Sequence, residues 1–189
     1  MKKVVLLLSA AAVGLALASV ASPAHALGPI GVELGAKLGG GSNLGGASTS
    51  PLYFPAVGGR GGITYHGFYG GVSMIAYAGQ SVAVASRAGG TSAHSLLYGV
   101  EGGYGVTFLE HITLRAQVGL GNAEIGYGDT SSSYFYLEPG VLVMARLAVV
   151  FVGVDLNMLI VPAGPAYHGT GEHGFDTAVT SHLQLGVMF

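Results

Sequence analysis

The stretch VTSHLQLGVMF, residues 179–189, decides how the rest of the chain is read. Leu183, Leu185, Val187 and Phe189 fall at every second position, with Thr180, His182, Gln184, Gly186 and Met188 between them. A two-residue period is the signature of a strand with two unlike faces, here one apolar and one small or polar. The same pattern recurs upstream. In Ile30–Leu38 the residues Ile30, Val32, Leu34, Ala36 and Leu38 alternate with Gly31, Glu33, Gly35 and Lys37. It returns in Ala56–Tyr65, Phe68–Ala78, Ser95–Phe108, Ile112–Leu120, Phe135–Val143 and Val149–Val161, which predicts eight strands in all. Phe151 and Leu159 break the polar face of the seventh, and Pro139 in the sixth removes one ladder donor, so a bulge or local irregularity is expected there.

Composition narrows what such strands can build. Mean hydropathy is +0.58 and only 8% of residues are charged, whereas a water-facing surface usually carries roughly 25–35% charged side chains. Residues 1–26 read as a secretory signal peptide: Lys2 and Lys3, an apolar run over Val4–Val20, then Ala24-His25-Ala26 as a cleavage site. The expected mature domain is residues 27–189, a single domain. No later apolar run reaches the roughly 18 residues of a spanning helix. Without Cys, no disulfide or lipid-modified cysteine is available. An apolar exterior without spanning helices leaves a closed barrel, which pairs every backbone group and has no edge.

The connections add a second pattern. Residues 39–55, 79–94, 121–133 and 162–177 read as long Gly/Ser-rich loops, while His66-Gly67, Leu109–His111 and Ala145–Ala148 read as short turns. Long and short therefore alternate along the chain. With the terminal aromatic of residues 179–189, this resembles the small outer-membrane barrels of bacteria, the eight-stranded OmpA/OmpX-type family. The resemblance implies an all-β, antiparallel, up-and-down transmembrane barrel with short periplasmic turns, long external loops and both ends periplasmic. Ten strands stay open, since Val82–Ala85 would allow a further hairpin. The resemblance also implies that Leu183, Leu185, Val187 and Phe189 are the assembly signal. Implied partners are outer-membrane lipid and lipopolysaccharide, with the barrel-assembly machinery and periplasmic chaperones during biogenesis, around a monomer. The implied function is a structural, envelope-integrity or surface-interaction role; the alternative is a narrow porin-like channel for ions or small solutes.

Charge supports the faces independently. Glu33, Lys37, Arg60, Glu101, Arg115, Glu138 and Asp155 all share the small or polar face, with Gln117, Asn157, His182 and Gln184. The opposite face carries no formal charge in these strands. Placing Arg or Lys against mid-bilayer lipid costs about 2–4 kcal/mol, so the charge-free face should meet lipid. The seven charges would then be confined in the lumen, where they must pair, because an unpaired buried charge is costly. Tyr65, Phe68, Phe108 and Phe189 at the turn end, with Tyr98 and Phe135 at the loop end, would form two aromatic girdles.

Other chemistries find less support. His168, Glu172, His173 and Asp176 are metal-ligand types, but their spacing matches no zinc signature, and no metal or other cofactor is expected. Barrel deacylases would need a His-x-Ser pair; His111-Ile-Thr113 and His168-Gly-Thr170 carry Thr instead. The barrel acyltransferases would need an amphipathic helix ahead of the first strand, for which Leu27-Gly28-Pro29 leaves no room, and no enzyme activity is expected. The Gly39–Gly41 and Gly89–Gly90 runs lack the strand-loop-helix context and the Lys of a phosphate loop. Two of seven Lys/Arg, Lys2 and Lys3, lie in the leader, leaving five against nine Asp/Glu. That balance does not suit nucleic acid.

Overall fold

Strands that are apolar on one face and polar on the other satisfy both faces only if the sheet curls to enclose one of them. The computed structural model describes residues 30–44, 53–78, 81–82, 91–127, 130–164 and 174–189, and in it the curl is complete. The elements are β1 (Ile30–Asn43), β2 (Ala56–Tyr65), β3 (Phe68–Tyr77), β4 (Ser81–Val82), β5 (Thr91–Phe108), β6 (Ile112–Tyr127), β7 (Thr130–Leu147), β8 (Val150–Gly164) and β9 (Gly174–Met188). Each long strand pairs antiparallel with its neighbours, β1 pairs with β9, and β3 skips β4 to pair with β5. The wall is thus a closed eight-stranded barrel. β4 is a two-residue strand on β5 at Thr91 and Ser92, so within the described residues the second connection adds nothing to the wall.

Stepping through register partners from Gly31 to Thr64, Tyr69, Gly103, Gln117, Gly140, Asn157 and Thr180 leads back to β1 at Gly41. The path has climbed ten residues, the stagger that accompanies a strand tilt of roughly 35–45° in a small barrel. The seam is closed to its end: Val32 and Phe189 exchange both backbone hydrogen bonds at 2.9 Å.

Several expectations from sequence are corrected. Residues 121–133 are not a long loop: β6 and β7 run on until Tyr127 pairs with Thr130. Gly39–Asn43, Thr91–His94, Pro162–Gly164 and Gly174–Ala178 likewise belong to strands. At Pro139 the irregularity expected takes the form of an interruption rather than a bulge: Pro139 keeps its partner Val118, while the ladder to β8 is broken at Glu138 and Pro139, with one register on both sides. The bulge lies elsewhere, between Val161 and Gly164 of β8. Glu124 is a charge on the outer side of the extended β6, where the Ser131 hydroxyl donates to it at 3.1 Å. Residues 1–26, read from sequence as a signal peptide, lie outside the described residues.

The outer face is apolar from turn to turn. Leu34, Val72, Val100, Leu120, Val143, Leu156, Leu183 and Leu185 are all exposed, while their neighbours along each strand turn inward. Tyr65, Phe68 and Phe108 are exposed beside the turns, and Phe68 meets Tyr104 edge-on at 4.9 Å. Tyr98 and Phe135 are exposed toward the loop end, while Phe189 is half-buried.

Candidate functional site in the lumen

A closed barrel of eight strands has room inside for side chains and little else. The lumen of this one is filled in three layers. At the turn end, Leu142, Met144 and Phe151 form a buried apolar layer against Met188. At the loop end, Ile75, Leu97, Ile125, Leu159 and Val161 pack with Tyr53, Tyr77 and Tyr136 into a second one. The Tyr53 ring stands at 84° to Tyr77 with centroids 5.3 Å apart. Tyr53, read from sequence as loop, is folded in as part of this cap, its carbonyl accepting from Gly41 N–H and its hydroxyl donating to Asp176 at 2.9 Å.

Between these layers lies a polar storey to which every wall strand contributes. Glu33 of β1 is its hub. Arg115 of β6 grips it with a fork, Nη1 to Oε1 at 3.2 Å and Nη2 to Oε2 at 2.8 Å. Arg60 of β2 sets Nη2 2.9 Å from Glu33 Oε1 and Nε 3.5 Å from Glu101 Oε2. These two Arg60 nitrogens are charge-paired but poorly aligned for hydrogen bonding, and Arg115 Nε has no hydrogen-bond partner among the described residues. Lys37 Nζ meets Glu101 Oε1 at 2.7 Å and Asp155 Oδ2 at 3.9 Å.

Sequence reading missed the group that lets two guanidiniums share one acid. Tyr69 of β3 lies against both, with Arg60 Cζ 4.2 Å and Arg115 Cζ 4.4 Å from its ring centroid. The negative faces of the ring attract both cations, each contact contributing about 0.5–2 kcal/mol where water is excluded. Gly62 and Gly71 make room for this ring, since a Cβ on either would collide with it. Tyr69→Phe should therefore lie within about 1 kcal/mol of the parent, while Tyr69→Leu should lose roughly 1–4 kcal/mol, the sum of two such contacts. Urea titration of the folded band on unheated gels would measure both, and equal losses would exclude the two cation–ring contacts as the stabilising feature.

A second polar group hangs from Asp155 of β8. His182 of β9 places Nδ1 2.8 Å from Asp155 Oδ1, and its Nε2 lies 3.1 Å from the Tyr77 hydroxyl. Asn157 Nδ2 and Gln184 Nε2 donate to the same carboxylate. Tyrosine, imidazole and acid in a row resemble a proton relay, yet all three side chains are buried, Tyr77 within the loop-end layer and Asp155 and His182 beneath it. Gln117 links the two halves, accepting from Arg60 Nη1 at 3.3 Å and donating to Asn157 at 3.2 Å.

Glu138 departs from the expectation that every lumen charge has an ionic partner. No ion pair reaches it among the described residues; the Thr180 hydroxyl donates to it at 2.9 Å instead. Pairing fails for a simple reason: the three permanent cations are drawn to Glu33, Glu101 and Asp155. Of the loop residues weighed as metal ligands, only Asp176 is described, and it faces Tyr53 and Asn43; His168, Glu172 and His173 lie outside the described residues.

An apolar exterior, a closed wall and a solid polar lumen define a small transmembrane β-barrel. The solved structure of Neisserial surface protein A has the same fold, with 14% identity, a TM-score of 0.54, and coverage of 85% of this chain and 96% of that one. Ail, the attachment invasion locus protein of Yersinia pestis, solved with the heparin analogue sucrose octasulfate, aligns at 14% identity over 85% of this chain and 97% of its own, with a TM-score of 0.47. No protein-family model and no curated protein matches the chain.

Proposed function

We infer that the chain is an integral outer-membrane protein, a sealed barrel with a structural, envelope-integrity or surface-interaction role. One observation carries this reading: the lumen holds a buried polar storey closed above and below by apolar layers. A conducting pore needs a continuous wet path, and side chains that pair with each other across the axis leave none. The ladder of exposed apolar side chains suits lipid and lipopolysaccharide acyl chains around a monomer. In this reading residues 1–26 direct export and are removed, the short turns face the periplasm, and the loop end faces outward. The barrel then acts through its outer end, without catalysis. Leu183, Leu185, Val187 and Phe189 remain the segment we assign to recognition by the assembly machinery; Leu183 and Leu185 are exposed along one face of β9.

The channel alternative gives the test. Refolded protein inserted into planar bilayers should show no reproducible unitary current under applied voltage. Steps of fixed size, abolished by widening or narrowing the Glu33–Arg60–Arg115 layer, would establish a pore and remove the sealed-barrel reading.

A further inference from the structure

Among the described residues, the two most exposed large apolar side chains, Leu109 at 83% and Leu147 at 73%, sit at neighbouring turns of the barrel. Neither turn is an easy place for them. Leu109 and Glu110 both adopt left-handed backbone, with φ of 51° and 64°, and His111 N–H closes the turn on Phe108 O at 3.2 Å. A turn with left-handed backbone at two successive positions favours Asn and Gly there. A leucine there accepts backbone strain and also holds its side chain away from the protein. Ala148, beside Leu147, is left-handed too, with φ of 56°.

The two turns act as one surface. Arg146 N–H donates to His111 O at 2.7 Å, and Ile112 of β6 pairs with Ala145 of β7. The described Arg nearby, Arg146, is exposed but held against the chain, its Nε donating to Ala148 O at 2.7 Å and Nη1 reaching Met188 Sδ. Outward-facing Val106, Phe108, Ile112, Val143 and Val150 bring the apolar band to these turns without a polar break. The β2–β3 turn, which flanks the β5–β6 turn on its other side, differs. There the tip is His66-Gly67, its imidazole meets Tyr65 edge-on at 4.4 Å, and Tyr104 lies close by against Phe68. Tyrosine and imidazole suit the wet edge of a bilayer.

We propose that the β5–β6 and β7–β8 turns form an apolar foot that seats in the boundary between acyl chains and headgroups. The barrel then sits deeper along its β5–β8 flank than at the β2–β3 turn. The inference rests on the membrane-spanning reading and adds the orientation of the barrel within the bilayer. Lipid is the occupant because the foot continues the face already assigned to lipid. Glu110 is compatible with that depth, since charged side chains near an interface reach out to headgroups and water.

The chain contains no tryptophan, so single tryptophans report without background. Leu109→Trp, Leu147→Trp, His66→Trp and Val143→Trp would each be refolded into phosphatidylcholine vesicles with bromines near the acyl carbonyls or near the chain ends. Leu109→Trp and Leu147→Trp should emit to the blue and lose most of their intensity to the shallow bromines. His66→Trp should emit as in water and be quenched little. Val143→Trp, in the middle of the band, should respond to bromines in either membrane. Water-like, unquenched emission from Leu109→Trp while Val143→Trp is quenched overturns the foot alone; an unquenched Val143→Trp overturns the membrane reading and the foot with it. Blue, unquenched emission from Leu109→Trp that depends on protein concentration would mean that a second copy, not lipid, covers the turn. Leu109→Asn, which suits the left-handed backbone, should fold normally in detergent yet insert into vesicles several-fold more slowly; unchanged insertion counts against the foot.

Discussion

Glu33→Gln is expected to destabilise the barrel by about 3–5 kcal/mol, the cost of leaving a buried charge without its partner. Glu33 is the acid on which both Arg60 and Arg115 converge, and its side chain is wholly buried. Glutamine keeps the shape and removes the charge. Arg60 would retain Glu101 at 3.5 Å, but Arg115 would lose its fork, with its Nε already unpartnered. The two cations, both within 4.4 Å of the Tyr69 ring centroid, would then repel each other. Removing one of them should relieve this, so Glu33→Gln with Arg115→Met is expected to recover about half of the loss. Gel-shift urea titrations in one detergent would give both free energies. A Glu33→Gln barrel within about 1 kcal/mol of the parent would mean that water or loop groups solvate the layer, and the dry lumen would be refuted.

That experiment bears on why the sequence was only partly readable. Inside the bilayer, charge and alternation point the same way: Glu33, Lys37, Arg60, Glu101, Arg115, Glu138 and Asp155 are inward, and their strand neighbours face lipid. Beyond the bilayer the outside becomes water and the inside becomes the apolar cap, so the alternation inverts. Ala123 and Ile125 are buried while Asn122 and Glu124 face out. A segment of small apolar and polar residues with its polarity reversed reads as loop, which is how residues 121–133 were mistaken. Tyr69 was missed for another reason. Its importance lies in a ring that reaches over Gly62 and Gly71 and beside two arginines from other strands, and only the folded barrel reveals that. Phe151 and Leu159 were visible as breaks in a polar face; their meaning as parts of the two apolar layers needed the closed barrel.

Phe151 leads to the second large effect. Its ring is fully buried and lies over Gly35 of β1 and Gly186 of β9, positions where any side chain would press on it. Phe151→Ala should cost about 3–5 kcal/mol, since the rigid wall cannot collapse to fill the space. The partner substitution gives a sharper test. A Cβ on Gly35 would come within 3.0 Å of the ring tip, with no other atom nearer than 3.7 Å. Gly35→Ala alone should therefore destabilise by about 1–3 kcal/mol through overpacking. In the Phe151→Ala background the same methyl would enter an empty space, and its effect should turn neutral or stabilising. Gly186→Ala should show no such reversal, because its Cβ would also meet the Leu34 carbonyl, which stays in place. A thermal or urea series on the four barrels of the Gly35/Phe151 cycle reads the sign directly. Additive losses at these two sites would mean that ring and glycine do not touch. The turn-end layer would then be looser than its packing indicates, and a wet path through the lumen would regain its footing.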